Sequence, residues 1–174
     1  MKKISSLVLV FILANSFSAQ TEQWKKLDDS NYSIEYPESW ELNQSQQMGT
    51  RFILLSPLQN QEDKFQENIN LIIQDLSGLE IDLDKYVEIS EGQFMSLMNK
   101  AVILESDRMR AREREFHKII YSGDQGQFKL KFEQYYWIID EQAYVLTFTC
   151  ESETFEEYRD KGEKILDSFR FKEN

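Results

Sequence analysis

The chain is poor in the residues that carry most protein chemistry. Among 174 residues it holds one cysteine, Cys150, and one histidine, His117. A single cysteine cannot close an internal disulfide, so stability has to come from packing. One histidine and one cysteine also fall short of the usual zinc sets, which draw on several such ligands. Ser-His-Asp and Cys-His machinery needs a histidine to take the nucleophile's proton, and His117 is the sole candidate. It lies in Phe116-His117-Lys118-Ile119, where alternation places it on the polar face of a strand. Cys150 closes an alternating run in phase with Tyr144, Leu146 and Phe148, the position of a buried small hydrophobe rather than a reactive thiol. No glycine-rich phosphate loop is present; Gly123 to Gly126 reads as a turn. The expectation is a protein that is not an enzyme and uses no metal or other cofactor.

Positive charge is scarce as well. Twenty Lys and Arg face 31 Asp and Glu, for a net charge of −11. That balance opposes binding to nucleic acid or anionic lipid, where neutralisation of phosphates by basic residues supplies most of the affinity. Acidic charge by itself describes a solvated surface.

Long apolar runs are also missing. The longest, Ile4 to Ala14, spans 11 residues, whereas crossing a bilayer core takes roughly 20. Lys2 and Lys3 precede it, and Ser16-Phe17-Ser18 follows with small side chains where signal peptidase wants them. Residues 1–19 are therefore expected to be a signal peptide, cleaved after Ser18 or after Ala19. No integral membrane segment is expected in the mature chain. Lipid attachment would need a cysteine beside the cut, and the only cysteine is far away. The expected location is soluble and outside the cytoplasm, in the periplasm or beyond. Loss of Lys2 and Lys3 leaves 18 basic against 31 acidic residues, a mature charge of −13. The remaining 20–174 fit one domain, long enough to bury roughly 70% of its unfolded surface.

What is present is aromatic bulk: twelve Phe, eight Tyr and three Trp. Tyr32, Ile34 and Tyr36 alternate with polar residues up to Pro37, which is strand spacing. Arg51 to Ser56 and Asn68 to Leu76 are further strands around a polar loop, Gln59 to Gln66. Asp82 is placed to cap a helix over Asp82–Asn99, in which Leu83, Tyr86, Val87, Phe94, Leu97 and Met98 follow the 3.6 period. Strands then run over Val102–Met109, Arg112–Tyr121, Gln127–Ile139 and Ala143–Cys150. In the third, Phe128, Leu130 and Phe132 share one face, and Lys129, Lys131 and Glu133 the polar other. Thr154-Phe155-Glu156-Glu157 fits a capping box ahead of a last helix with Phe155, Tyr158, Ile165 and Phe169 on its apolar side. Short connections favour antiparallel pairing, and each helix needs a sheet face to bury against. The architecture expected is α+β, an antiparallel sheet with helices packed on it.

Two segments carry a family resemblance. Tyr32-Ser33-Ile34-Glu35-Tyr36-Pro37-Glu38-Ser39-Trp40 resembles the opening of PsbP-like domains, where an alternating strand enters Pro-x-x-Trp. Ile165-Leu166-Asp167-Ser168-Phe169-Arg170-Phe171 looks like that superfamily's terminal helix. The resemblance implies an α/β/α sandwich around a central antiparallel sheet, and a role in docking onto other proteins rather than chemistry. It transfers no functional residue, because no partner-binding motif matches position by position. Pro37 and Trp40 read as structural, one stopping the strand and the other covering the core edge.

Two charged clusters remain. Glu151, Glu153, Glu156 and Glu157 could hold a hard cation through oxygen ligands. They lack the spaced Asp or Asn and the turn glycine of a calcium loop, and the helix dipole alone favours acids there. Arg108, Arg110, Arg112 and Arg114 are the sharper feature, since alternate strand residues share a face. Guanidinium forks suit carboxylates and phosphates, so the stripe is the expected partner-binding site; neutralisation by neighbouring acidic strands or helix ends is the competing reading. Tyr135, Tyr136 and Trp137 read as core with an exposed member free to anchor a partner. Together these features point to an exported, non-enzymatic interaction or assembly module of the cell envelope, whose partner is another envelope protein. The alternative is a small-ligand carrier with an apolar pocket between helix and sheet.

Overall fold

The computed structural model describes residues 22–112 and 114–172; the expected signal peptide lies outside them. Five strands come first: β1 (Trp24–Asp28), β2 (Tyr32–Pro37), β3 (Glu41–Asn43), β4 (Thr50–Leu55) and β5 (Asn68–Asp75). Helix α1 (Leu83–Leu97) follows, begun by the Asp82 carboxylate, which accepts from the Lys85 backbone N–H at 2.8 Å. Four long strands succeed it, β6 (Asn99–Ala111), β7 (Arg114–Gln125), β8 (Phe128–Ile139) and β9 (Gln142–Glu151). The chain ends in α2 (Phe155–Ser168) and the two-residue β10 (Arg170–Phe171). Seven strands form one sheet in the order β3-β4-β5-β9-β8-β7-β6, and β1-β2-β10 form a second, with every pairing antiparallel. The α+β class stands. No helix among the described residues is long and apolar enough to cross a membrane.

The hairpins follow from local chemistry. Asp140 and Glu141 both take positive φ and turn β8 back into β9 within two residues. The β7–β8 turn sits later than the composition suggests: β7 runs on through Gly123 to Gln125, and the chain reverses at Gly126, whose φ is +62°. The Pro37 and Trp40 readings hold, since Pro37 is the last residue of β2 and Trp40 is buried.

Alternation along β8 divides the interior into two cores. Leu130, Phe132 and Tyr136 join Tyr86, Val87 and Phe94 of α1. Tyr135 and Trp137 join Phe155, Ile165, Leu166 and Phe169 at α2, together with Tyr32, Ile34 and Tyr36 of β2. The two helices thus lie on opposite faces of the large sheet. On the α1 side, Phe94 stacks on Tyr121 at 4.0 Å and Tyr121 on Phe132 at 4.7 Å. Each such pair adds about 0.5–1.5 kcal/mol beyond its buried area. On the α2 side, Gly162 lets the helix seat directly on Phe148, where a Cβ would stand 2.6 Å from the ring.

Three expectations need correction. Glu133 does not share a solvated face with Lys129 and Lys131; its side of β8 is roofed by α2, and it is fully buried. Thr154 precedes α2 but its side chain makes no cap bond. The hydroxyl instead donates to the Glu67 carboxylate at 3.1 Å, a buried acceptor that outcompetes an exposed helix end. The Ser-Phe ending is not helical throughout, because α2 stops at Ser168 and Arg170–Phe171 pair with Tyr32 and Ser33.

Candidate binding site

The four arginines do not form one stripe. Arg108 and Arg110 lie in β6, opposite His117 and Glu115 of β7, and directly opposed residues share a face. That face is the α1 side. The Arg108 guanidinium donates to Asp84 in the first turn of α1. Arg112 takes a positive φ of 50° where the hairpin reverses. Arg114 then opens β7 opposite Ala111, in phase with Phe116, so it points to the α2 side. Alternation restarts across a turn, and the set divides there. Among the described residues, neutralisation from a helix end therefore holds for Arg108 alone of the four.

On the α2 side a further arginine, outside the expected set, completes a site. Arg170, in β10, joins Arg112 and Arg114 around a cavity of about 490 Å³. Its walls are Phe116, Tyr135, Trp137, Phe169 and Phe171, with Asp167 at the margin. The Arg114 guanidinium stands 5.3 Å from the Phe171 ring centroid. One Arg170 nitrogen donates to the Asp167 and Phe169 carbonyls at the end of α2, which fixes the side chain and leaves its remaining N–H groups free of those bonds. Burial lowers the Arg170 pKa, and the Arg112 charge lowers it further. Among the described residues, no carboxylate lies within ion-pair distance of Arg112, Arg114 or Arg170. The only sequence signal for Arg170 was the alternation Phe169-Arg170-Phe171 after an amphipathic helix, which marks a strand.

Behind the cavity wall lies a charge cluster. Lys118 Nζ sits 3.1 Å from Glu133 Oε1, 3.7 Å from Glu105 and 3.9 Å from Glu163. Burial raises the Glu133 pKa against the pull of Lys118. Burial also works against the Lys118 ammonium, but its three carboxylates prevail and hold its pKa above the usual range. The Tyr135 hydroxyl is 3.2 Å from Glu133 and 3.3 Å from Asp167. With one proton it donates to one of them at a time. Tyr135 thereby links the buried pair to the cavity margin.

His117 lies on the α1 side, half-buried among the polar side chains of Ser106, Glu91 and Arg108, and contacts a hydroxyl. Ser106 Oγ is 2.8 Å from His117 Nε2 and 2.7 Å from Glu91 Oε1. The carboxylate can only accept, so Ser106 donates to Glu91 and the imidazole Nε2–H donates to Ser106. Burial, then Arg108, holds the His117 pKa below its ordinary value, which favours the neutral ring. The buried Nδ1 has no hydrogen-bond partner among the described residues. A serine nucleophile needs the opposite polarity, with a bare imidazole nitrogen facing its proton. This line ties α1 to β6 and β7.

Cys150 is buried as expected, and its thiol donates to Glu67 at 3.7 Å. Burial pushes the thiol pKa up to about 12, against the pull of Thr154 and with Glu67 adding to the rise. A thiol so protonated is a poor nucleophile. The acidic cluster at the start of α2 assembles no metal-ligand group among the described residues. Tyr135, Tyr136 and Trp137 are all buried, and Tyr135 and Trp137 reach the cavity.

The architecture has known counterparts. Cyanobacterial PsbP from Synechocystis superposes with a TM-score of 0.61 at 11% identity, over 92% of this chain and 99% of that one. LpqN of Mycobacterium tuberculosis, described as involved in cell envelope biogenesis, gives 0.67 at 12% identity over 94% and 98%. A Pseudomonas aeruginosa protein of unknown function gives 0.63 at 10% identity over 88% and 99%. The chain has a PsbP-like fold. Identities this low speak for the fold alone. No family model matches the sequence, and no curated protein matches it either. The residues that make the PsbP-like fold here are those of the two cores. The arginine-lined cavity sits at one end of it, where β10, the end of α2 and the β6–β7 turn meet.

Proposed function

We propose that this chain is an exported, non-enzymatic docking module of the cell envelope, an α/β/α sandwich that binds an acidic face of another envelope protein. The binding end is the β6–β7 turn with β10. One observation carries the reading: Arg112, Arg114 and Arg170 gather around an aromatic-walled cavity on a chain whose net charge is −11. Guanidinium groups gathered without an ion-paired carboxylate among the described residues attract an anionic group brought in by a partner. Likeness to LpqN, itself described by a role in envelope biogenesis, supports the compartment. The polarity of the Ser106–His117 contact supports a non-enzymatic role.

The cavity also supports the second reading, a small-ligand carrier, because about 490 Å³ lies within the range of small-molecule sites. Affinity capture from envelope extract separates the two. Changing Arg112 and Arg114 to Glu is expected to abolish capture of the partner, while changing Arg108 and Arg110 to Glu leaves it intact. Unchanged capture by the first variant would overturn the docking reading. Fractionation is expected to recover a shortened chain outside the cytoplasm, and a full-length cytoplasmic chain would overturn export.

A further inference from the structure

We propose that the arginine-lined cavity is a binding site for a carboxylate carried on an aromatic ring; this deepens the docking reading and rests on it. Two features of the cavity select that chemistry. The first is charge: among the described residues Arg112, Arg114 and Arg170 line the cavity with Asp167 as its one carboxylate, while Glu35 acts on Arg170 from outside it. Guanidinium forks bind a carboxylate through two parallel N–H donors. The second is the wall. Trp137 and Phe171 meet edge to face at 5.5 Å, and Phe169 and Phe171 at 5.1 Å. Aromatic edges and faces arranged this way offer a further ring the same tilted contacts. A hydrated inorganic anion would leave that wall unused, and a neutral ring would leave the guanidinium groups unmatched. An aromatic carboxylate uses both.

Such a group comes from two sources, the C-terminal residue of a partner chain or a free aromatic acid. The experiment is an NMR titration of the wild-type protein, following the Trp137 indole and the arginine side-chain N–H signals. The probes are N-acetyl-phenylalanine, its carboxamide, a glycine-rich pentapeptide ending in phenylalanine with a free carboxylate, and 3-phenylpropanoate. The acid forms are expected to bind at the cavity about tenfold or more tightly than the carboxamide. Arg114→Gln is expected to remove most of that preference, Arg114→Lys to restore part of it, and Arg110→Gln to leave it unchanged. Tighter binding of the pentapeptide supports a protein terminus, and tighter binding of 3-phenylpropanoate supports a free acid. Equal binding of acid and carboxamide, or shifts mapping to the α1 side, would overturn the proposal. If no probe binds while partner capture still depends on Arg112 and Arg114, the cavity assignment fails and docking stands. If probes bind and no partner is captured, the reverse holds.

Discussion

The two faces of the seven-stranded sheet are covered by helices of similar length, yet they are built differently. The α2 side is closed: Phe148, Phe155, Ile165 and Leu166 are almost wholly enclosed, and the small sheet overlaps the same core. That side can therefore hold an enclosed ion pair, and the arginine-lined cavity lies at its end. The α1 side is a single helix over an aromatic stack, with Ile89, Met95 and Leu97 exposed. Burial is what gives a charge or a missing methyl large consequences. Equivalent substitutions should thus have unequal effects on the two sides.

The largest effect is expected from Lys118→Met. Glu133 has no exposed surface, and among the described residues Lys118 is its only cation within 4 Å. Removing the ammonium leaves a buried carboxylate uncompensated, at a cost of about 3–5 kcal/mol in unfolding free energy. The double variant Lys118→Met with Glu133→Leu should recover most of that loss, since paired apolar groups fit a roofed site. Urea unfolding of the three proteins measures it. If the single variant matched wild type, the pair would not be buried as described. Arg108→Met, which unpairs Asp84 at the surface of the α1 side, should change stability by less than about 1 kcal/mol.

Next in size is a matched pair of glycine substitutions. Gly162 in α2 rests against the Phe148 ring, so an alanine Cβ forces α2 and Phe148 apart. A loss of about 1–3 kcal/mol is expected. Gly92 in α1 is exposed, and a Cβ there meets nothing within 4 Å. Gly92→Ala should stabilise by about 0.5–1 kcal/mol, through helix propensity alone. The same chemical change is expected to have opposite signs on the two helices, read as opposite shifts of the thermal midpoint.

Sequence periodicity exposed the α1 side more fully than the α2 side, for a physical reason. Asp82, Tyr86, Val87 and Phe94 are local signals of one helix, and the cap and these three buried residues appear as expected, whereas Leu97, assigned to the same face, is exposed. The α2 side is assembled from distant pieces. Strand β10 has two residues and pairs with β2 nearly the whole described length away, so no local pattern announces it. The same is true of β1 and β3, which are too short for alternation to stand out. The division of the arginine set is hidden in the sequence because Ala111-Arg112-Glu113-Arg114 contains no glycine, proline or asparagine to mark a turn. The burial of Glu133 is hidden as well, because alternation assigns a face but not what covers it. Cys150, in phase with Leu146 and Phe148, was placed correctly, since all three belong to one strand.

The smallest expected effect concerns pH and again divides the two sides. Glu133 on the α2 side has a pKa raised above the ordinary 4.5, by burial. A group that binds its proton more tightly when folded favours the folded state most at low pH. Its contribution is fully present below 4.5 and is lost as pH rises through the raised value in the native protein. Stability should therefore carry a downward component with rising pH above 4.5 that Glu133→Gln removes. His117 on the α1 side has the opposite sense, because its pKa is lowered from 6.5 by burial and by Arg108. The unfolded chain then binds the proton more tightly, so stability rises with pH up to about 6.5 and is flat above it. His117→Gln should remove that rise and leave the Glu133 component in place. Thermal midpoints recorded across this range for wild type and both variants test the assignment. A wild-type profile that neither substitution alters would mean that neither group is as enclosed as its side of the sheet requires.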